Sequence, residues 1–233
     1  LVFLELKSTH RDLRHAFDDN LKDYKDTIPN LFNINAFIIL SNGLKSKIGT
    51  ITSPFKFFNE WKRVSEGKKP DVDLINKDPD IDLVNMIKGT CSKDHLIDLL
   101  ENFIAYEDSG GEIIKILAKN HQFLGVNKVI NNSKTIDDLK GKLGVFWHTQ
   151  GSGKSYSMYF LAEKIHRKFY GSYTIVIVLD REELETQIYK NFTAVGAVKD
   201  QSLLAKSREH LRDLLKENHK YVFIDNKTDI YNY

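Results

Sequence analysis

Eight residues, His148-Thr149-Gln150-Gly151-Ser152-Gly153-Lys154-Ser155, constrain this chain more than any other stretch. They stand between a short apolar run, Val145-Phe146-Trp147, and a segment, Tyr156 to Tyr170, whose apolar residues recur at helical spacing. A strand-to-helix turn is predicted there. Gly151 and Gly153 let the backbone bend so that its N–H groups face inward, and the helix N-terminus adds partial positive charge. In such a loop Lys154 reaches the β- and γ-phosphates of a nucleotide, and the Ser155 hydroxyl ligates Mg²⁺. The strict pattern carries glycine where His148 stands, while the remaining positions and the flanking elements agree with it. The stretch reads as a nucleoside triphosphate site.

At 233 residues the chain has room for one large domain or two modest ones. Its 34 Lys and Arg nearly balance its 32 Asp and Glu, so no global basic charge advertises nucleic acid, and local patches must carry any such interaction. A lone cysteine, Cys91, excludes an internal disulfide or a zinc cluster and suits a reducing cytoplasm. No apolar run approaches membrane-spanning length and no signal peptide opens the chain, so a soluble cytoplasmic protein without a membrane partner is expected. The chain starts in the apolar run Leu1-Val2-Phe3-Leu4 and closes on Tyr231-Asn232-Tyr233 without a capped element, so it reads as an internal piece of a longer protein.

Leu1 to Lys7 is predicted as a buried strand, and alternation puts Glu5 and Lys7 on one face. A carboxylate and an ammonium so paired suit metal-dependent phosphodiester cleavage, the first as a Mg²⁺ ligand and the second orienting water or offsetting charge on the phosphate. They equally suit a surface ion pair of little consequence. Asp12 to Tyr24 reads as a helix with Leu13, Phe17, Leu21 and Tyr24 on one side, ended by Pro29, and Asn20 and Tyr24 share a face. Ala36 to Leu40 and Lys47 to Thr52 are strands about a Ser41-Asn42-Gly43 turn. Glu66 to Pro79, charged and carrying Gly67, Pro70 and Pro79, is the linker. Helices are expected over Asp80 to Ile87, over Lys93 to Ile104 with Ser92 as N-cap, and over Glu112 to Ile130, with a short strand at Phe103 to Tyr106.

The remainder alternates strand and helix. Thr174 to Leu179 is almost continuously apolar and mostly β-branched, as in a strand of a parallel sheet buried on both faces. It runs into Asp180-Arg181, at the strand end where ligands of open α/β sheets gather, although a helix-capping acid followed by a solvated arginine fits as well. Helices at Glu182 to Phe192 and Leu203 to Asn218 precede a strand, Tyr221 to Ile224, and Asp225. An acid there orders Mg²⁺ and water in hydrolysing motors, but Asn226 stands where they carry glutamate, so a turn aspartate is the default reading.

Taken in this order, the pieces resemble the restriction (R) subunit of type I restriction-modification enzymes over nearly the full length. Leu1 to Lys7 is similar to the second half of that family's PD-(D/E)xK nuclease motif, Asn20 to Tyr24 to its Gln-x-x-x-Tyr element, and Trp147 to Ser155 to its phosphate loop, which accounts for His148. The resemblance implies a catalytic set of Glu5, Lys7, Asn20 and Tyr24, with Glu5 as metal ligand and the motif's first aspartate upstream of Leu1. It implies that Gln122, in Ala118-Lys119-Asn120-His121-Gln122, reads adenine, that Thr149, Gln150, Gly151, Ser152, Gly153, Lys154 and Ser155 hold ATP with Mg²⁺ on Ser155, and that Asp180, Arg181 and Gln187 help engage DNA. The motor's Asp-Glu-Ala-His box is missing.

The expected fold is α/β: a restriction-endonuclease-like domain (1–65), a linker and helix (66–92), and part of a RecA-like parallel-sheet P-loop domain (93–233). The implied activity is ATP-driven translocation along double-stranded DNA coupled to Mg²⁺-dependent cleavage, with modification and specificity subunits as partners. Another DNA-dependent motor with an inactive nuclease-like domain, or a non-catalytic nucleotide-gated module, is the alternative. The piece by itself is expected to bind nucleotide without cutting or translocating.

Overall fold

A computed structural model describes residues 1–65, 81–180, 182–199 and 201–225, with the side chains of Ile81, of 182–186, of Gln201 and of Asp225 outside that description. The predicted linker over Glu66 to Pro79, Arg181 and Asn226 lie outside the described residues. The chain is mixed α/β and forms two compact units, Leu1–Tyr106 with Ile114–Phe146, and Glu107–Ile113 with Trp147–Tyr233. Residues 93–106 and 114–146, assigned above to the motor domain, pack in the first unit. Among the described residues no helix is long and apolar enough to cross a membrane.

In the first unit, strand β1 (Val2–Leu6) pairs parallel with β2 (Phe37–Ser41), and β2 pairs antiparallel with β3 (Ser46–Gly49). The crossover from β1 to β2 is a continuous helical run: α-helical Leu13–His15, π-helical Ala16–Leu21 and α-helical Lys22–Thr27. Asp12 caps its start, its side chain accepting the Arg14 N–H at 2.7 Å. Leu13, Ala16, Phe17 and Leu21 are buried at the helical spacing, and Phe17 and Leu21 pack with Phe32, Ile38, Leu40 and Phe58. A buried Phe or Leu of this kind contributes about 1.5–3 kcal/mol relative to exposure. Asn42 closes the β2–β3 turn, its Oδ1 accepting the Lys45 N–H at 2.9 Å.

Helices Ile81–Thr90 and Lys93–Asn102 follow, and Ser92 stands at the N-cap without a side-chain capping bond. The helix expected over Glu112 to Ile130 is a correction. Glu112–Leu117 is strand β5, paired with β4 (Ile104–Ser109), and the helix begins only at Asn120 and runs to Asn132. Asp108, Gly110 and Gly111 make the turn between them: both glycines have positive φ, 71° and 99°, and Asp108 Oδ1 accepts the Gly111 N–H at 2.8 Å.

In the second unit, β6 (Ile175–Leu179), β8 (Tyr221–Asp225) and β7 (Leu204–Ala205) form a parallel sheet in the order β6-β8-β7. Tyr221 and Phe223 face Ala162, of helix Lys154–Lys168, and Ile188 and Phe192, of helix Glu182–Ala194. Val222 and Ile224 face Leu214, on helix Arg208–Lys216. The strand buried on both faces is thus β8. Strand β6, expected to be so buried, leaves Val176 42 % and Val178 51 % exposed, because the helix that covers this face packs on β7 and β8. The helix expected over Leu203 to Asn218 is shortened to Arg208–Lys216, since Leu204 and Ala205 extend to pair with β8 and Ser207 then caps the helix, accepting the His210 N–H at 3.1 Å.

Candidate functional site

The predicted residues fall in two groups, one in each unit. In the first unit, Lys7 is the hub. Its backbone N–H extends the ladder to Ser41 O at 2.8 Å, which holds the end of β1 in register. Its Nζ lies 3.2 Å from Glu5 Oε1 and donates to Asn20 Oδ1 at 2.5 Å. The Lys7 and Glu5 side chains are 14 % and 13 % exposed, so the pair is largely withdrawn from water, and its attraction is less screened than at an open surface. Asn20 lies within the π-helical turns, a local widening of the helix of the kind often found at functional sites. Tyr24 is half-buried with its ring edge-on to Phe3, 5.9 Å between centroids, on the strand face that carries Glu5 and Lys7. Glu5, Lys7 and Asn20 are thereby brought together, with Tyr24 beside the same strand face.

Chemically, this cluster presents one carboxylate and one ammonium whose position is fixed from two sides. Glu5 fits as one oxygen donor to a divalent ion. As a complete Mg²⁺ site the described residues fall short: Mg²⁺ takes six near-octahedral oxygen ligands, and no group of three or more His, Cys, Asp or Glu side chains among the described residues is arranged to hold a metal.

Gln122 is also described with the first unit, 3 % exposed, on the first turn of helix Asn120–Asn132. Its Oε1 accepts the Lys119 N–H at 2.8 Å, so in this conformation the amide oxygen caps the helix.

In the second unit the phosphate loop takes the shape its glycines allow. Gly151 has φ 76°, Gly153 has φ 90° and ψ 37°, and the helix begins at Lys154. Ser152 N–H donates to Thr149 O at 3.3 Å, closing the turn, and Ser157 N–H donates to Gly153 O at 3.1 Å, the first turn of the helix. Thr149, Gln150 and Gly151 are exposed, Ser152, Gly153 and Ser155 half-buried. Lys154 is exposed, and its Nζ donates to His148 O at 2.8 Å, folded back over the loop. Tyr156 anchors the helix start, its hydroxyl donating to Glu107 Oε2 at 2.6 Å; burial, and next Glu107, push the phenol above its ordinary range.

The strand expected at Val145-Phe146-Trp147 does not form: no ladder includes these residues, and Val145 and Trp147 are 89 % and 94 % exposed. A strand needs a neighbour to satisfy its backbone groups, and no described strand pairs with this run. Asp180 is exposed just beyond β6, and Gln187 is exposed on helix Glu182–Ala194. Asp225 ends β8.

Sequence reasoning missed Glu163. Its carboxylate, 12 % exposed, accepts from Lys220 Nζ at 2.6 Å and from the Tyr221 hydroxyl, fastening helix Lys154–Lys168 to β8. Burial raises its pKa, but the bonds from Lys220 and Tyr221, with the nearby Arg167 charge, outweigh that and hold it below its ordinary value. The local sequence offers only the ordinary i, i+4 pairing with Arg167, since Lys220 and Tyr221 stand more than fifty residues away.

Comparison with known proteins finds two family matches along the chain, the second of which begins within residues of the first unit. Residues 1–57 match the family described as type I restriction enzyme R protein N terminus, and residues 121–226 match the SWI2/SNF2 ATPase family. The HindI type I restriction enzyme endonuclease subunit of Haemophilus influenzae is 36 % identical over 94 % of this chain and 21 % of its own length. The MjaIXP type I restriction enzyme endonuclease subunit of Methanocaldococcus jannaschii is 30 % identical over 93 % of this chain and 22 % of its own. Along nearly its whole length, then, the chain is a relative of the endonuclease subunits of type I restriction enzymes, and it spans about a fifth of the length of those it matches.

Proposed function

We propose that the chain is part of a cytoplasmic restriction subunit that couples ATP-driven movement along double-stranded DNA to Mg²⁺-dependent cleavage, working with modification and specificity subunits. On this reading residues 1–65 belong to a restriction-endonuclease-like domain, 66–92 are linker and helix, and 93–233 begin a RecA-like motor. Lys154 leaves His148 O to meet the β- and γ-phosphates, the loop N–H groups from Gly151 to Ser155 take the remaining phosphate oxygens, and Ser155 meets the Mg²⁺ carried by the nucleotide. Gln122 gives up its helix-capping bond and offers donor and acceptor to adenine. Asp180, Arg181 and Gln187 engage DNA. In the nuclease part Glu5 gives one carboxylate to the ion, while Lys7, held by Asn20, places its charge against the scissile phosphate.

The observation that carries the reading is the convergence of Glu5 and Asn20 on the Lys7 ammonium, at 3.2 and 2.5 Å, in a chain that also bears a phosphate loop. The absence of glutamate after Asp225 favours a second reading, a nucleotide-gated module that does not hydrolyse. The test is a paired assay on the full-length subunit with its modification and specificity partners, following plasmid cleavage and DNA-stimulated phosphate release. Lys154→Ala is expected to abolish both, and Glu5→Ala to abolish cleavage while phosphate release continues. Gln122→Ala is expected to erase a preference for ATP over GTP. No phosphate release from the unmutated complex would favour the module.

A further inference from the structure

The first unit carries a second charged feature that the nuclease cluster does not use. A cleft of about 600 Å³ opens between the helical run and the turn at 52–56. Arg14, Lys22 and Lys25 reach it from the helix and Lys56 from the turn, and Lys47 lies beside it over the Phe55 ring. Asn20, by contrast, turns to Lys7, just past the end of β1.

These cations are held by aromatic faces as much as by acids. Lys47 Nζ sits 4.9 Å from the Phe55 ring centroid and Arg14 5.7 Å, while Lys22 and Lys25 lie 5.8 and 5.9 Å from the Phe17 centroid. Asp18 is the one carboxylate lining the cleft, shared between Arg14 at 2.8 Å and Lys22 at 2.7 Å. Lys25 donates to the Ile51 carbonyl at 2.5 Å and feels Asp26 nearby. Five cations against Asp18 and Asp26 leave an excess of three positive charges, whereas the whole chain carries a net charge of only +2. With the rings covered by cations, the cleft offers no stacking platform for bases and reads negative charge alone.

We propose that this cleft is a docking surface for the phosphate backbone of duplex DNA, separate from the Glu5, Lys7 and Asn20 cluster, an inference that rests on the DNA-acting reading above. It holds the duplex without reading its sequence.

The probe is a fluorescent 20-base-pair duplex of arbitrary sequence, titrated with the 233-residue chain over a salt series. Each phosphate contact contributes about 0.9 to the slope of log affinity against log salt. The K22Q/K47Q/K56Q variant is expected to lower that slope by about 2.7 and to weaken binding roughly ten- to a hundred-fold at low salt. K88Q/K93Q/K134Q, with its charges removed elsewhere in the first unit, is expected to leave the slope unchanged. Matched circular dichroism and melting of the variants checks the fold. A wild-type chain that binds with a slope the cleft variant does not move would overturn the cleft and leave the DNA reading standing. A wild-type chain that binds no duplex at low salt would also overturn the cleft, the DNA reading then being judged by DNA-stimulated phosphate release in the full-length complex. Equal binding of a polyglutamate of matched charge, lost in the same variant, would reassign the surface to an acidic polypeptide.

Discussion

Lys7 owes its position to two neighbours rather than one, and that distinction can be tested. An ion pair with Glu5 alone would let the ammonium swing; the Asn20 carbonyl, at 2.5 Å, fixes it from the helix side. Hydrogen bonds to a charged group contribute about 1.5–3 kcal/mol. Asn20→Ala is therefore expected to slow plasmid cleavage by the full-length complex roughly ten- to a hundred-fold with DNA-stimulated phosphate release unchanged, and Asn20→Gln to restore most of the loss. Equal cleavage by wild type and Asn20→Ala would show that Lys7 needs no second partner. The pairing of Glu5 with Lys7 was legible in the alternation of β1, and the resemblance grouped Asn20 with them; the Lys7–Asn20 bond itself was not legible, because it joins a strand end to a π-helical stretch that no residue pattern announces.

Elements were legible where one periodicity ruled and misread where a turn or a partner strand intervened. Strands β1, β2, β3 and β8 and the helix after the phosphate loop follow their apolar patterns. The Ile113-Ile114-Ile116 run allows either a helix or a strand, and the Asp108-Ser109-Gly110-Gly111 turn decides for a strand by folding β5 back on β4. Burial of β6 on one face and of β8 on two depends on which helix lies across the sheet, a matter of tertiary packing that a strand's own residues do not encode.

Close packing between elements gives a sharper test. Gly89, in helix Ile81–Thr90, faces Trp61, whose side chain is fully buried, and a Cβ at position 89 would come within 2.3 Å of Trp61 Nε1. Alanine recovers up to about 1 kcal/mol of helix propensity, but overpacking a rigid buried ring costs about 1–3 kcal/mol. Gly89→Ala is expected to lower stability in a urea melt by about 1–2 kcal/mol; a gain would mean that Trp61 moves aside freely.

Glu163 makes the corresponding link in the second unit, with a pH signature. Its folded pKa lies below its ordinary value, so its stabilisation is present in full above about pH 4.5 and is lost as pH falls through the folded value. Glu163→Gln is expected to destabilise by about 1–2 kcal/mol at pH 7. The gap from wild type should close in melts at progressively lower pH below 4.5, and a gap constant across pH would assign the effect to shape alone.

At the scale of the whole molecule the chain is two compact units, each with its own core and its own charged site, in a sequence related throughout to restriction endonuclease subunits. The chemistry each unit holds is different: one offers a fixed ammonium beside a carboxylate, the other a glycine-shaped loop at a helix N-terminus. The claim on which the rest depends is that the loop binds a triphosphate through Lys154. Calorimetric titration of the 233-residue chain with Mg²⁺–ATP, in parallel with Lys154→Ala, tests it directly. Saturable one-to-one binding is expected, weakened by the substitution by about 1.5–3 kcal/mol, the loss of a charge-assisted contact. The same affinity in both proteins, or no binding by the wild type, would contradict it.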